Sequence, residues 1–132
     1  MLHIRYSDRA LDVEGSDQDY VALRAKIDKL LNGQYVSAIE VLCDANPDPS
    51  PYVKSCKKLR IILGSGRNEF SLDGSTLKVK GSAIALKNFS DNFPDGGRVN
   101  SEGIRYHHHY DVCSLPEYIS SDSPDVVLAL RA

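Results

Sequence analysis

Leu11-Asp-Val-Glu-Gly-Ser16 and Leu77-Lys-Val-Lys-Gly-Ser82 share the pattern Leu-x-Val-x-Gly-Ser and begin 66 positions apart, half of the 132-residue chain. Each alternates apolar and polar residues, as a strand with one buried face does, then breaks at glycine before a serine suited to cap a helix. A strand that runs straight into a helix, twice, at half-chain spacing makes the chain read as two tandem copies, residues 1–66 and 67–132. At the same offset, without a gap, Ile4 falls on Phe70, Tyr6 on Leu72, Tyr52 on Tyr118, Val53 on Ile119 and Ser55 on Ser121. Ile61-Ile62 likewise falls on Val127-Leu128.

Working outward, Leu2 to Tyr6 alternates, Ser7-Asp8-Arg9 turns the chain, and Ala10 to Glu14 alternates again, which predicts a hairpin. Ser16 opens a helix with Asp17 and Asp19 at its positive end, and Tyr20, Leu23, Ile27, Leu30 and Leu31 form one apolar stripe. Val36 to Cys43 reads as a well-covered strand, Asn46-Pro-Asp-Pro-Ser-Pro51 as a rigid loop, and Lys57 to Gly64 as the closing strand. In the second copy Glu69–Leu72 and Thr76–Lys80 flank the turn signal Asp73-Gly74. Ser82 caps a shorter helix through Phe93, ended by Asp95-Gly-Gly97; Ile104 to Asp111 and Val126 to Leu130 are the remaining strands. The expected fold is therefore α+β: a mostly antiparallel sheet with two helices on one face, built from two strand-strand-helix-strand-strand units of 66 residues within one compact domain, 1–132.

A chain of 132 residues buries about two-thirds of its unfolded surface, whereas 66 residues alone would be marginal, so the copies are expected to share a core. The first half carries nine basic and nine acidic residues and the second seven and nine, so neither is a platform for phosphates and nucleic acid is not an expected partner. Met1-Leu-His-Ile-Arg-Tyr6 has no basic region followed by an apolar run, and no stretch approaches the roughly 20 apolar residues of a membrane span. Cys43, Cys56 and Cys113 are odd in number and lack CxxC spacing, which points to a reducing, cytoplasmic setting.

Chemistry concentrates at His107-His108-His109. On a strand, His107 and His109 share a face and His108 takes the other. Such an HxH pair could place two imidazoles on a zinc ion with Asp111 and Cys113 beside them; the alternative is that the histidines serve structure or recognition. The first copy has Val41, Leu42 and Cys43 at these positions, so the halves differ where the histidines are. Gly64-Ser-Gly66 lacks the lysine and helix of a phosphate loop and reads as a turn. Ser16 and Ser82 are helix caps before they are nucleophiles, and Cys43 belongs to a core strand. Asp8, Asp12, Glu14, Asp17 and Asp19 cluster near the first helix, against Lys78, Lys80 and Lys87 in the second copy. They read as a solvated face or as a negative surface for a basic partner.

Tyr106-His107-His108-His109-Tyr110, then Tyr118, then Asp122-Ser-Pro-Asp-Val-Val-Leu128 resembles the small bacterial immunity proteins of polymorphic toxin systems: an HxH strand, an aromatic in the loop, and a Ser-Pro-led closing strand. Leu77-x-Val-x-Gly-Ser82 is similar to the same family's strand-to-helix transition. The resemblance covers residues 69–130, reaches 1–66 only through the repeat, and departs from the pattern in the first copy, which lacks the histidines and carries the proline loop. It implies a non-enzymatic protein that binds a toxin domain and blocks it by occlusion, needing no cofactor. On this reading His107, His109, Tyr118, Tyr52 and Pro51 form the contact surface of a monomer or homodimer. The alternatives are a metal-binding protein or enzyme that uses His107, His109, Asp111 and Cys113, and a structural or assembly module, such as a homodimer that pairs exposed edge strands.

Overall fold

The computed structural model describes residues 1–33, 36–95 and 107–131. The expected glycine pair Gly96-Gly97 and the start of the histidine strand, Ile104 to Tyr106, lie outside the described residues. The first half runs β1 (His3–Ser7), β2 (Ala10–Gly15), α1 (Asp17–Asn32), β3 (Ala38–Leu42), β4 (Lys54–Ser55) and β5 (Lys58–Leu63). The second runs β6 (Glu69–Asp73), β7 (Thr76–Gly81), α2 (Ala83–Asp91), β8 (His107–Tyr110) and β9 (Asp125–Leu130).

The local signals act as their chemistry dictates. The Ser16 hydroxyl accepts the Asp19 N–H at 3.1 Å while the Asp19 carboxylate accepts the Ser16 N–H at 2.9 Å, a reciprocal capping box. Ser82 caps α2 through the Ala85 N–H at 3.2 Å. Both helices follow a glycine that touches its neighbours too closely for a side chain. A Cβ on Gly15 would come within 2.6 Å of the Leu2 side chain, and one on Gly81 would run into the Asn68 amide.

Class, helix number and mostly antiparallel pairing are as expected, but the strands form two sheets: β4-β1-β2-β9-β8 and β3-β5-β7-β6. Each combines the hairpin of one half with the closing strands of the other. β2 pairs in parallel with β9, from Ala10↔Asp125 to Gly15↔Leu130. β7 pairs in parallel with β5, from Thr76↔Lys58 to Gly81↔Leu63. These two parallel seams are where the halves interlock, and the other ladders are antiparallel.

The helices do not cover one face of a single sheet. α1 packs on β2 of the five-stranded sheet and on β3 and β5 of the four-stranded one. α2 lies on α1 and β7 and reaches β8 through the Tyr110 hydroxyl, which donates to Asn88 Oδ1 at 2.7 Å. Both sheets therefore turn one face to a shared core, in which Phe70, Phe89, Phe93 and Tyr110 pack edge-on or tilted at centroid separations of 4.9–6.1 Å. β3, expected to be well covered, is an edge strand instead, and Leu42 is 67% exposed on its outer side.

The connections between β3 and β5 and between β8 and β9 diverge. In the first half β4 returns antiparallel to β1. In the second, Ile119 forms an isolated parallel bridge with Asn68. Tyr52 and Tyr118, 66 positions apart, therefore occupy different surroundings.

Tyr20 ties α1 to the β2–β9 seam, its hydroxyl lying 2.8 Å from both the Val13 and Ala129 carbonyl oxygens. Tyr20→Phe keeps the ring and leaves these buried oxygens short of their donor. It is expected to lower unfolding free energy by about 1–3 kcal/mol in denaturant titration. A loss below about 0.5 kcal/mol would show that the hydroxyl does not hold the seam.

Candidate functional site

Side chains alternate along each strand, so the register of the five-stranded sheet lays out its outer face, turned away from the core, in two rows. One row reads Arg5, Asp12, Val127, His109 and the other His3, Glu14, Ala129, His107 across β1, β2, β9 and β8. His107 and His109 are exposed at the β8 edge with ring centroids 5.5 Å apart. His108 points the other way, as alternation requires, and its Nε2 meets Asn92 Oδ1 at 2.9 Å.

At the opposite edge a charged pair fastens the proline-rich loop. Arg5 donates from Nη2 and Nε to Asp12 Oδ2 at 2.7 and 3.1 Å, and Asp12 is only 3% exposed. Its remaining nitrogen, Nη1, donates to the Ser50 carbonyl at 3.0 Å. The Tyr52 ring stacks on the guanidinium, 4.7 Å from its carbon to the ring centroid. Pro51, between Ser50 and Tyr52, is exposed. The outer face thus carries a fixed tyrosine at one edge and two exposed imidazoles at the other.

Of the five expected contact residues, His107, His109, Tyr52 and Pro51 belong to this face and its bordering loop. Tyr118 does not. It borders a cavity of about 360 Å3 against α2, with Ala83, Ile84, Lys87, Asn88 and Asp91. The alternative zinc set is not assembled either. The Asp111 carboxylate accepts the Ser114 N–H at 2.8 Å and closes a turn, and Cys113 is exposed within it. Among the described residues no group of three or more His, Cys, Asp or Glu is placed to hold a metal ion.

The remaining candidates resolve into structural roles. Burial pushes the Cys43 thiol up to about 12, with Cys56 adding to the effect, and burial pushes the Cys56 thiol up to about 11. Neither supplies a thiolate near neutrality. The acidic cluster near the first helix is dispersed: Asp12 pairs with Arg5, Glu14 Oε1 lies 3.6 Å from Arg131 Nε, and Asp19 meets the terminal amine at 3.1 Å. Sequence reading places Asp12 in the acidic cluster and misses its pairing with Arg5, although a two-residue turn at Asp8-Arg9 sets the two opposite each other.

No family model matches the chain, and no curated protein matches it in sequence.

His3, in the second row of the outer face, is buried, its ring 3.1 Å from the Ser55 hydroxyl. Burial, aided by Arg5, holds its imidazole below the 6.5 of a free histidine, against the opposing pull of Glu14, Asp44 and Asp12. The unfolded chain therefore binds a proton more readily than the folded one. This contribution to stability is complete above pH 6.5 and is lost as pH falls from there through the folded value. His3→Gln is expected to flatten the fall in stability between about pH 7 and pH 5, by at most about 1.4 kcal/mol per pH unit. Urea titrations across that range check it, and an unchanged slope would contradict it.

Proposed function

We propose that this chain is a non-enzymatic immunity-type protein that neutralises a cognate bacterial toxin domain by occluding it in the cytoplasm of the producing cell. The observation that carries the reading is the outer face of the five-stranded sheet. There exposed His107 and His109 share a surface with a tyrosine already immobilised on Arg5. Tyrosine and histidine can fill a pocket and hydrogen-bond at once, which suits the centre of an interface. A loop stiffened by Pro47, Pro49 and Pro51 and fastened by Arg5 loses little further freedom on binding, so less of the contact energy is spent on ordering it. The resemblance of residues 69–130 to immunity proteins supplies the class of partner.

The exposed parts of this surface are His107 and His109 at one edge and the proline loop at the other, and a partner that touches both would span the four spacings of the sheet, about 19 Å. Affinity capture from the source cell, with the captured polypeptide identified and its affinity measured, tests the reading. Wild-type protein is expected to hold one stoichiometric polypeptide with toxin activity. His107→Ala with His109→Ala should weaken binding about thirtyfold or more without shifting the melting transition, and Tyr52→Ala should weaken it further at a stability cost of about 0.5–1 kcal/mol from the lost stacking on Arg5. Equal affinity in the folded variant, or capture of no polypeptide at all, would contradict the reading.

A further inference from the structure

The outer face of the four-stranded sheet is chemically different. Its two central strands turn outward Lys58, Arg60 and Ile62 from β5 and Thr76, Lys78 and Lys80 from β7. Register sets Arg60 directly opposite Lys78, and like charges so placed weaken a sheet. The rims are acidic: Glu40 on β3, Glu69 and Asp73 on β6. Arg60 reaches Glu40 at 3.5 Å and Lys78 reaches Asp73 at 3.0 Å. Among the described residues Lys58 and Lys80 have no ion-pair partner. The Lys80 side chain is also positioned, because it lies over Gly64: a Cβ there would come within 2.7 Å of Lys80 Cε and 3.2 Å of Cγ.

From this charge pattern we infer that the face docks an acidic segment of a protein partner, its carboxylates laid along the β5–β7 seam between the acidic rims. The distance along β5 from Lys58 to Ile62, opposite Lys80, is about 13 Å at 3.3 Å per residue, which sets the length of the acidic run. Across the sheet, β3 and β6 are three spacings apart, about 14 Å. A single peptide element fits that lane. A nucleic-acid duplex, whose major groove alone is about 12 Å wide, would bring phosphates onto Glu40, Glu69 and Asp73. Among the described residues of its strands no aromatic side chain projects from this face to stack an unpaired base. The exposed Leu42 and half-buried Ile62 add apolar contact beside the cations. This surface is separate from the histidine face and stands independently of the toxin reading.

The test titrates isotope-labelled full chain at low salt with short poly-L-glutamate and, separately, with duplex DNA of matched charge, reading amide shifts and affinity. The peptide is expected to shift amides in 58–62 and 76–80 and to bind about tenfold more tightly than the duplex. Lys58→Glu with Lys80→Glu should weaken peptide binding about tenfold or more, while Lys26→Glu with Lys29→Glu on exposed positions of α1 should not. Lys58→Gln with Lys80→Gln, gentler on the fold, should give an intermediate loss. Shifts on another face, equal loss in the α1 variant, or a duplex that binds as tightly as the peptide would each overturn the inference.

Discussion

Neither half of this chain can complete a sheet alone, because each hairpin finds its parallel neighbour in the other half. β2 lies against β9, and β7 lies against β5. A parallel pair needs a crossover: the path from β2 to β9 runs through every element from α1 to β8, and the path from β5 to β7 through β6. The two seams bury Leu11, Val13, Leu59, Ile61, Leu77, Val79, Val126 and Leu128 in one core rather than two. The β2–β9 contacts join residues more than a hundred positions apart, from Ala10↔Asp125 onward, and contacts so distant are slow to form, so completion of the five-stranded sheet waits on that seam rather than on its hairpin.

That interlock also positions both outer faces. β9 is flanked by β2 and β8, so the seam holding the fold together also sets His107 and His109 in line with Glu14 and Asp12. The Arg5–Asp12 pair works across the same surface. Removing one partner of a pair this buried would leave an uncompensated charge, at about 3–5 kcal/mol, and removing Arg5 would also release the Ser50–Tyr52 loop. Stability and presentation of the histidine face are therefore coupled through Arg5. The four-stranded sheet, by contrast, leaves its cations to solvent and to weak rim pairs, an arrangement that adds little to stability.

Much of the local structure was legible in the sequence because its causes are local. Alternation located the hairpins, Asp73-Gly74 marked a turn, and Ser16 and Ser82 marked the helix starts. The division of His107 and His109 from His108 followed from strand geometry alone. What was not legible depends on partners distant in sequence. No local signal says that β5 joins β7, so the two sheets and the edge position of β3 could not be read. The 66-residue spacing sets Tyr118 beside Tyr52, yet one connection pairs antiparallel with β1 and the other bridges in parallel at Asn68. Asn68 carries no signal of its own. It is buried among α2, β6 and β8, and donates to the Ala85 carbonyl at 2.7 Å and the Tyr110 hydroxyl at 3.0 Å.

The most direct test of the interlocked fold is to express residues 1–66 and 67–132 separately and follow backbone amide exchange in each and in their equimolar mixture. Each half alone is expected to exchange throughout, and the mixture to recover protected amides along β2, β5, β7 and β9. A half that keeps its own protected strands in isolation would show that the parallel seams are not what holds this protein together.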